Sequence, residues 1–301
     1  MMVRHRCLAL TFVAVIWLAG GAVAGASLSP AQYLLGAQNR DGGFGPSPGQ
    51  PSAELYAGWA ALGLAAAGYN PASVSHGGPS VLDYIRSQAP SDAGAVERTI
   101  LVARAAGASV TDFGGRDLLR MLERDIRPDG SVANQVNWTS FAVLALRAAG
   151  ANPSSKTLGW IARQRDSDGG FNFATAGGQS DIDDTGAALE ALAGDAAART
   201  TISAAVRFLR RQQNRDRGFP SEPGASSNAQ STAFAVQGLI AVGVRLSSMP
   251  HGSPERYLNS LRARNGQIRY SRSLDLSPVW VTGEALMALV GKPLPIAPVG
   301  S

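Results

Sequence analysis

Three carboxyl side chains fall within four residues in the stretch Ser180-Asp181-Ile182-Asp183-Asp184-Thr185-Gly186. Like charges this close cannot all ionise freely, so inside an apolar cavity one carboxyl retains a proton and becomes available as an acid. A cation formed beside such an acid needs aromatic walls. Spacing on the apolar helical segments of the chain offers Tyr56, Trp59, Trp138, Phe141, Phe234 and Trp280 for them. The same residues also have a structural use. Ser180 followed by Asp183 has the form of a capping box, and acidic side chains in a first turn are favoured by the helix dipole by ~0.3–1 kcal/mol each. Aromatics at helical spacing serve equally well as core. Both uses are open at this point.

Several other chemistries are excluded. The one cysteine of the 301 residues is Cys7, inside the N-terminal export segment described below, so the remaining chain has no thiol to attack a substrate, bind metal or form a disulfide. His76 and His251 both fall in linkers, and there is no His-Glu-x-x-His site, phosphate loop or dinucleotide fingerprint. No metal and no cofactor is expected. Charged residues make up 16% against a usual roughly 25%, and the arginines are scattered, which argues against a nucleic-acid partner.

The elements that would position the acids are repeats. Each unit reads as a helix, a Gly-rich turn and a second, very apolar helix ending in Gly. The first helices place a bulky residue four positions before a polar one: Leu34 with Gln38, Tyr84 with Gln88, Leu119 with Glu123, Trp160 with Gln164, Phe208 with Gln212 and Leu258 with Arg262. Turns follow at Asp41-Gly42-Gly43-Phe44, Asp129-Gly130-Ser131, Asp168-Gly169-Gly170-Phe171, Asp216-Arg217-Gly218-Phe219 and Asn265-Gly266-Gln267, with Asp92-Ala93-Gly94 as a worn copy. The second helices align as Tyr56 to Gly68, Ala95 to Gly107, Trp138 to Gly150, Asp183 to Gly194, Ser231 to Gly243 and Trp280 to Gly291. A helix apolar all round is buried and a one-sided helix lies at the surface. The expectation is therefore an all-α domain of six hairpins with inner and outer helices, and irregular unit lengths favour a closed ring over an open stack.

Within that ring, taking Thr139, Thr185, Thr232 and Thr282 as equivalent puts Asn137, Asp183, Gln230 and Trp280 two residues before each. If the inner helices start at one rim, Asn137, Asp183 and Gln230 form a polar arc there; otherwise each caps its own helix. Arg98 and Glu284 interrupt apolar stretches and are expected to pair across the ring, since buried charges want partners.

The segments Gln38-Asn39-Arg40-Asp41-Gly42-Gly43-Phe44, Gln164 to Phe171 and Gln212 to Phe219, each followed by an Ala-rich helix, resemble the prenyltransferase and squalene-cyclase repeats over roughly residues 30 to 295. The resemblance implies an α6/α6 toroid with a central cavity, in which the turn glutamines tie neighbouring hairpins together. Asp181 to Thr185 also resembles the Asp-x-Asp-Asp-Thr motif of squalene–hopene and other class II terpene cyclases. That likeness implies Asp183 as the acid that protonates an alkene, with Asp181 and Asp184 as its neighbours. Zinc-dependent prenyl transfer is not implied, because its Cys and His ligands are missing. The cyclases of this family combine two toroids, whereas this chain has helices for one, and cobalamin carriers use a single toroid for secreted binding.

Residues 1–26 read as an export signal: Arg4, His5 and Arg6 precede an apolar run from Cys7 to Leu18 and small-residue cleavage sites near Ala24. The domain plan is thus a signal at 1–26, one toroid at 27–295 and an extended tail at 296–301, with Lys292 to Pro298 too proline-rich for a helix and expected along the surface. With the signal cleaved, no transmembrane segment is expected. The function expected is a secreted or cell-envelope ring that binds a bulky apolar or isoprenoid-like small molecule. The alternatives are a class II cyclase using Asp183 and a structural ring with a protein partner.

Overall fold

The computed structural model describes residues 27–300; the export segment lies outside the described residues. Twelve α-helices alternate in six hairpins: α1 (Pro30–Ala37) with α2 (Glu54–Ala66), α3 (Val81–Ser87) with α4 (Ala93–Ala105), α5 (Leu118–Asp125) with α6 (Val136–Ala148), α7 (Ser155–Arg163) with α8 (Ile182–Leu192), α9 (Arg199–Gln212) with α10 (Ala229–Ala241), and α11 (Glu255–Ser260) with α12 (Pro278–Leu289). The even-numbered helices are buried nearly all round. The odd-numbered ones bury a single stripe, such as Leu118 and Leu122 on α5 or Ala204, Ala205, Phe208 and Leu209 on α9. Each even helix packs on the next, and α12 packs back on α2, so the ring closes. Among the described residues the strand pairing comprises one two-residue ladder, β1 (Phe219–Pro220) antiparallel to β2 (Ser227–Asn228), and isolated bridges such as Phe171 with Asp181.

Local chemistry explains the repeated turns. The carboxyls of Asp41, Asp129, Asp168 and Asp216 each accept the backbone N–H two residues on, at 2.9–3.0 Å. Four inner-helix threonines then lock helix to turn: the hydroxyls of Thr139, Thr185, Thr232 and Thr282 accept the N–H of Val132, Phe171, Phe219 and Ile268 at 2.9–3.0 Å. This bond is the physical content of the threonine alignment. The turn residue after each Asp has positive φ and is Gly42, Gly130 or Gly169, but in the fifth unit it is Arg217 at φ 78°. An L-residue with a Cβ is strained there, so Arg217→Gly is expected to raise stability by about 1 kcal/mol, read as an increase in Tm. A decrease would show that the arginine's contacts outweigh the strain.

The turn glutamines do tie hairpins together, with a corrected register. Gln38 Nε2 donates to Gly42 O at 2.8 Å and to Val74 O in the linker to the next hairpin at 3.1 Å. In the fifth unit that role falls to Gln213, not Gln212: its Nε2 donates to Arg217 O and Gly252 O at 3.0 and 2.9 Å, and its Oε1 accepts His251 N–H at 2.9 Å. Gln164 bonds only within its own unit, to Trp160 O and from Ala176 N–H.

The tail is non-helical and runs over the ring as a strap, with its Leu294 and Ile296 side chains buried beneath it. Val299 N–H donates to Ala105 O at 2.9 Å, and Asn70 Nδ2 donates to Val299 O at 2.6 Å. Ala105 ends α4 and Asn70 follows α2, so the strap crosses the C-terminal ends of the inner helices.

Candidate functional site

At the N-terminal ends of the inner helices the ring encloses a cavity of about 420 Å³, within the range of small-molecule sites. Every inner helix contributes to its wall. Four aromatic rings from α2, α6, α10 and α12 meet at its centre: Trp59 lies 6.0 Å from Phe141, 6.3 Å from Phe234 and 6.5 Å from Trp280, and Phe141 lies 6.4 Å from Phe234. Because α2 reaches both α6 and α10 in this cluster, the aromatics floor the cavity. Trp138 completes the wall. Tyr56, expected there, is not part of the lining and packs edge-on against Trp280 at 6.2 Å. Phe173, in the loop before α8, is 48% exposed and overhangs the mouth.

The acid cluster sits at the start of α8. Asp181, not Ser180, caps this helix, accepting Asp184 N–H at 2.7 Å. Ser180 turns the other way and donates to Asp168 Oδ1 at 2.8 Å. The capping-box expectation fails because the helix starts at Ile182, one residue later than Ser180 could cap. Burial, with Asp184 beside it, pushes the Asp181 carboxyl up to about 9. Asp184 accepts Asn137 Nδ2 at 2.6 Å across the α6–α8 junction; burial raises it too, opposed by the bonds from Asn137 and Asp181.

Asp183 lies at the cavity wall, and its Oδ1 is buried without a hydrogen-bond partner. Burial raises its carboxyl to about 7, with the Ser231 hydroxyl pulling the other way and Asp184 adding to the rise. An acid so placed retains its proton near neutrality and has one oxygen not committed to the protein.

Apart from a bond within α12, the remaining polar groups pair between neighbouring helices rather than cap. Gln230 is the second residue of α10, which Asn228 caps. Its Nε2 donates to Glu284 Oε2 at 2.9 Å, and Trp280 Nε1 donates to Glu284 Oε1 at 2.5 Å. Asn137 likewise follows the first residue of α6, and Gln135 at the N-cap makes no capping bond. The expected Arg98–Glu284 pair does not form: Arg98 Nε donates to Glu54 Oε1 at 3.0 Å, and its Nη2 donates to the other oxygen. Glu54 for Arg98 and Glu284 for Gln230 are each on the adjacent inner helix, within reach without crossing the lumen, whereas Trp280 reaches Glu284 one turn along α12. The sequence reading missed Glu97, which lines the cavity at 1% exposure with Oε1 unpartnered. A charged residue beside Arg98 on an otherwise apolar helix was the available signal.

Three buried glutamates join the acid cluster of α8 in setting the pH response. Burial pushes Glu190 and Glu284 up to about 8 from an ordinary 4.5 and raises Glu97 well above it. A carboxyl raised in the folded state contributes its full stability below its unfolded pKa and loses it as pH rises through the folded one. Stability is therefore expected to decline between pH 4.5 and 8, with Tm at pH 8.5 about 5 °C or more below that at pH 5.5. The Glu190→Gln, Glu284→Gln double variant should make this decline shallower, with Glu97, Asp181 and Asp183 retaining part of it, and a flat wild-type profile would refute the assignment.

Among the described residues no group of three or more His, Cys, Asp or Glu is arranged to hold a metal ion, and no helix is long and apolar enough to cross a membrane. A drimenyl diphosphate synthase from Streptomyces showdoensis is 36% identical over 132 residues, which is 41% of this chain and 25% of the relative. The chain thus spans about a quarter of the length of the curated relatives it matches. Among solved structures, the type II terpene cyclase MstE from Scytonema in its apo form superposes with a TM-score of 0.61 at 16% identity, over 87% of this chain and 95% of that one. Nearly all of that chain is thus matched by the single toroid described above. A glycosidase in complex with glucose superposes with a TM-score of 0.60 at 11% identity, over 88% of this chain and 97% of that one, so these likenesses establish the toroid and leave its chemistry to the site. The profile of the prenyltransferase alpha-alpha toroid domain matches residues 4–88, 105–248 and 185–276, and the chain, a terpene cyclase-like toroid, belongs to that family.

Proposed function

We propose that the chain takes the hydrocarbon end of a linear isoprenoid into this cavity and protonates it from Asp183, starting a class II cyclisation. The observation that carries the reading beyond binding alone is the Asp183 carboxyl, retained as an acid with Oδ1 unpartnered at the wall of an aromatic cavity. The alkene π pair takes the carboxyl proton to form a C–H bond, leaving positive charge on the adjacent carbon and a carboxylate on Asp183. The Ser231 hydroxyl favours that carboxylate. The faces of Trp59, Trp280, Phe141 and Phe234 stabilise the cation, by about 2 kcal/mol or more for a desolvated contact, while further alkenes close rings onto it. Loss of a proton from carbon to water ends the sequence with a neutral product, and solvent returns a proton to the Asp183 carboxylate.

The likeness to drimenyl diphosphate synthase and to the MstE toroid supports this reading. Purified protein incubated with linear isoprenoids of increasing length is expected to give a cyclised product by gas chromatography–mass spectrometry. Recovery of unchanged ligand with no product reduces the function to binding. Export by residues 1–26 is part of the proposal, and finding the full-length chain, unprocessed, in the cytosolic fraction of its host would remove that part.

A further inference from the structure

Glu97 is the acid of the cavity that the proposed chemistry leaves unused. Around the mouth, Glu54 bonds Arg98, Asn137 bonds Asp184, and Gln230 and Trp280 bond Glu284. Two carboxyl oxygens of the lining remain buried without a partner, Asp183 Oδ1 and Glu97 Oε1, and so does one indole, Trp59 Nε1. Buried polar groups are as a rule hydrogen-bonded, so orphans gathered in one cavity mark where a ligand atom belongs. Trp59 and Glu97 stand on adjacent helices, α2 and α4. Glu97 lies away from the acid: the charges that bear on it are Arg98, Asp125 and Asp92, whereas Asp183 bears on Glu284 and Tyr270, and Trp59 stands in the central cluster between the two.

The charge of the wall restricts what that atom can be. The lining carries Glu97, Asp183, Asp184 and Glu284 against one cation, Arg98, and Arg98 is already held by Glu54. A diphosphate would enter with several negative charges and meet no free cation.

We infer that the ligand carries a neutral oxygen function, a hydroxyl or a carbonyl, at the end remote from Asp183, held by Glu97 and Trp59 Nε1, and that isoprenoid diphosphates are rejected. This rests on the isoprenoid reading of the cavity. Burial raises the Glu97 carboxyl well above its ordinary value and so favours the protonated form, whose O–H donates to either kind of oxygen and whose carbonyl accepts from a hydroxyl.

Quenching of the cavity tryptophans reads affinity for three probes of equal chain length: farnesol, farnesyl diphosphate and farnesene. Farnesol is expected to bind at least tenfold more tightly than either of the others. Glu97→Leu should erase its advantage over farnesene, and Glu97→Gln, which keeps a donor and an acceptor, should retain most of it, with circular dichroism confirming that both variants fold. The inference is overturned if the diphosphate binds as tightly as the alcohol, if Glu97→Leu weakens alcohol and hydrocarbon alike, or if no probe binds. Its failure is distinguishable from that of the acid. Cyclised product from farnesyl diphosphate would refute this inference and uphold Asp183, whereas selective farnesol binding without product would do the reverse.

Discussion

Asp183→Asn is expected to lower formation of cyclised product by roughly a thousandfold while leaving the fold intact, because a positioned general acid contributes about 10²–10⁴ in rate. The amide keeps the size of the carboxyl and has no transferable proton. Stability should not fall with activity, since Asp183 caps nothing: the cap of α8 is Asp181, and Asp183 Oδ1 has no partner to lose. The sign can be checked by pH. The Asp183 carboxyl is raised to about 7, so its stability contribution is lost as pH rises through that value, and Asp183→Asn should melt higher than wild type at pH 8.5. The wild-type rate should decline over the same interval, because only the protonated carboxyl can donate. Asp181→Ala is the contrasting variant: it removes the cap and is expected to cost about 1 kcal/mol. Equal activity in wild type and Asp183→Asn would end the cyclase reading.

Gly283→Val is expected to be the most destabilising single change, by about 3 kcal/mol or more, to the point of preventing ring closure. A Cβ at Gly283 would sit 2.5 Å from Trp59 O, and one at Gly63 would sit 2.5 Å from Gly283 O. Both obstacles are helical backbone in a packed interior, which cannot give way as a flexible side chain can. This crossing joins the last inner helix to the first, so forcing it apart opens the ring where it closes. The same device recurs between α8 and α10, where a Cβ on Gly186 would meet Phe234 O at 2.5 Å. Gly186→Ala is therefore expected to displace a floor aromatic and the helix that bears Asp183. The control is Gly36→Ala on α1, where a Cβ meets nothing within 4 Å and the helix gains up to about 1 kcal/mol from the better helix former. Thermal unfolding of the three variants orders these effects, and a Gly283→Val protein melting like wild type would show that the crossing is not tight.

The sequence alone determined what depends on neighbours a few residues away in the chain. Asp-Gly turns, apolar helices ending in glycine and threonines at a fixed offset specify six hairpins, and the structure has them, with Gly68, Gly107, Gly150, Gly194, Gly243 and Gly291 all at positive φ. The nearness of Asp181, Asp183 and Asp184 was likewise legible, because one helical turn fixes it. The tertiary structure decided who partners whom between helices. Whether Arg98 meets Glu54 or Glu284, whether Tyr56 faces the cavity or lies behind Trp280, and whether Glu97 is orphaned all turn on the rotation and stagger of each helix about the ring. Those are set by glycine crossings between helices over 50 residues apart, such as Gly63 with Gly283 and Gly186 with Gly238. A rotation of one residue, about 100° on a helix, moves a side chain from lumen to core. Local periodicity cannot resolve that angle; only packing of the closed ring fixes it.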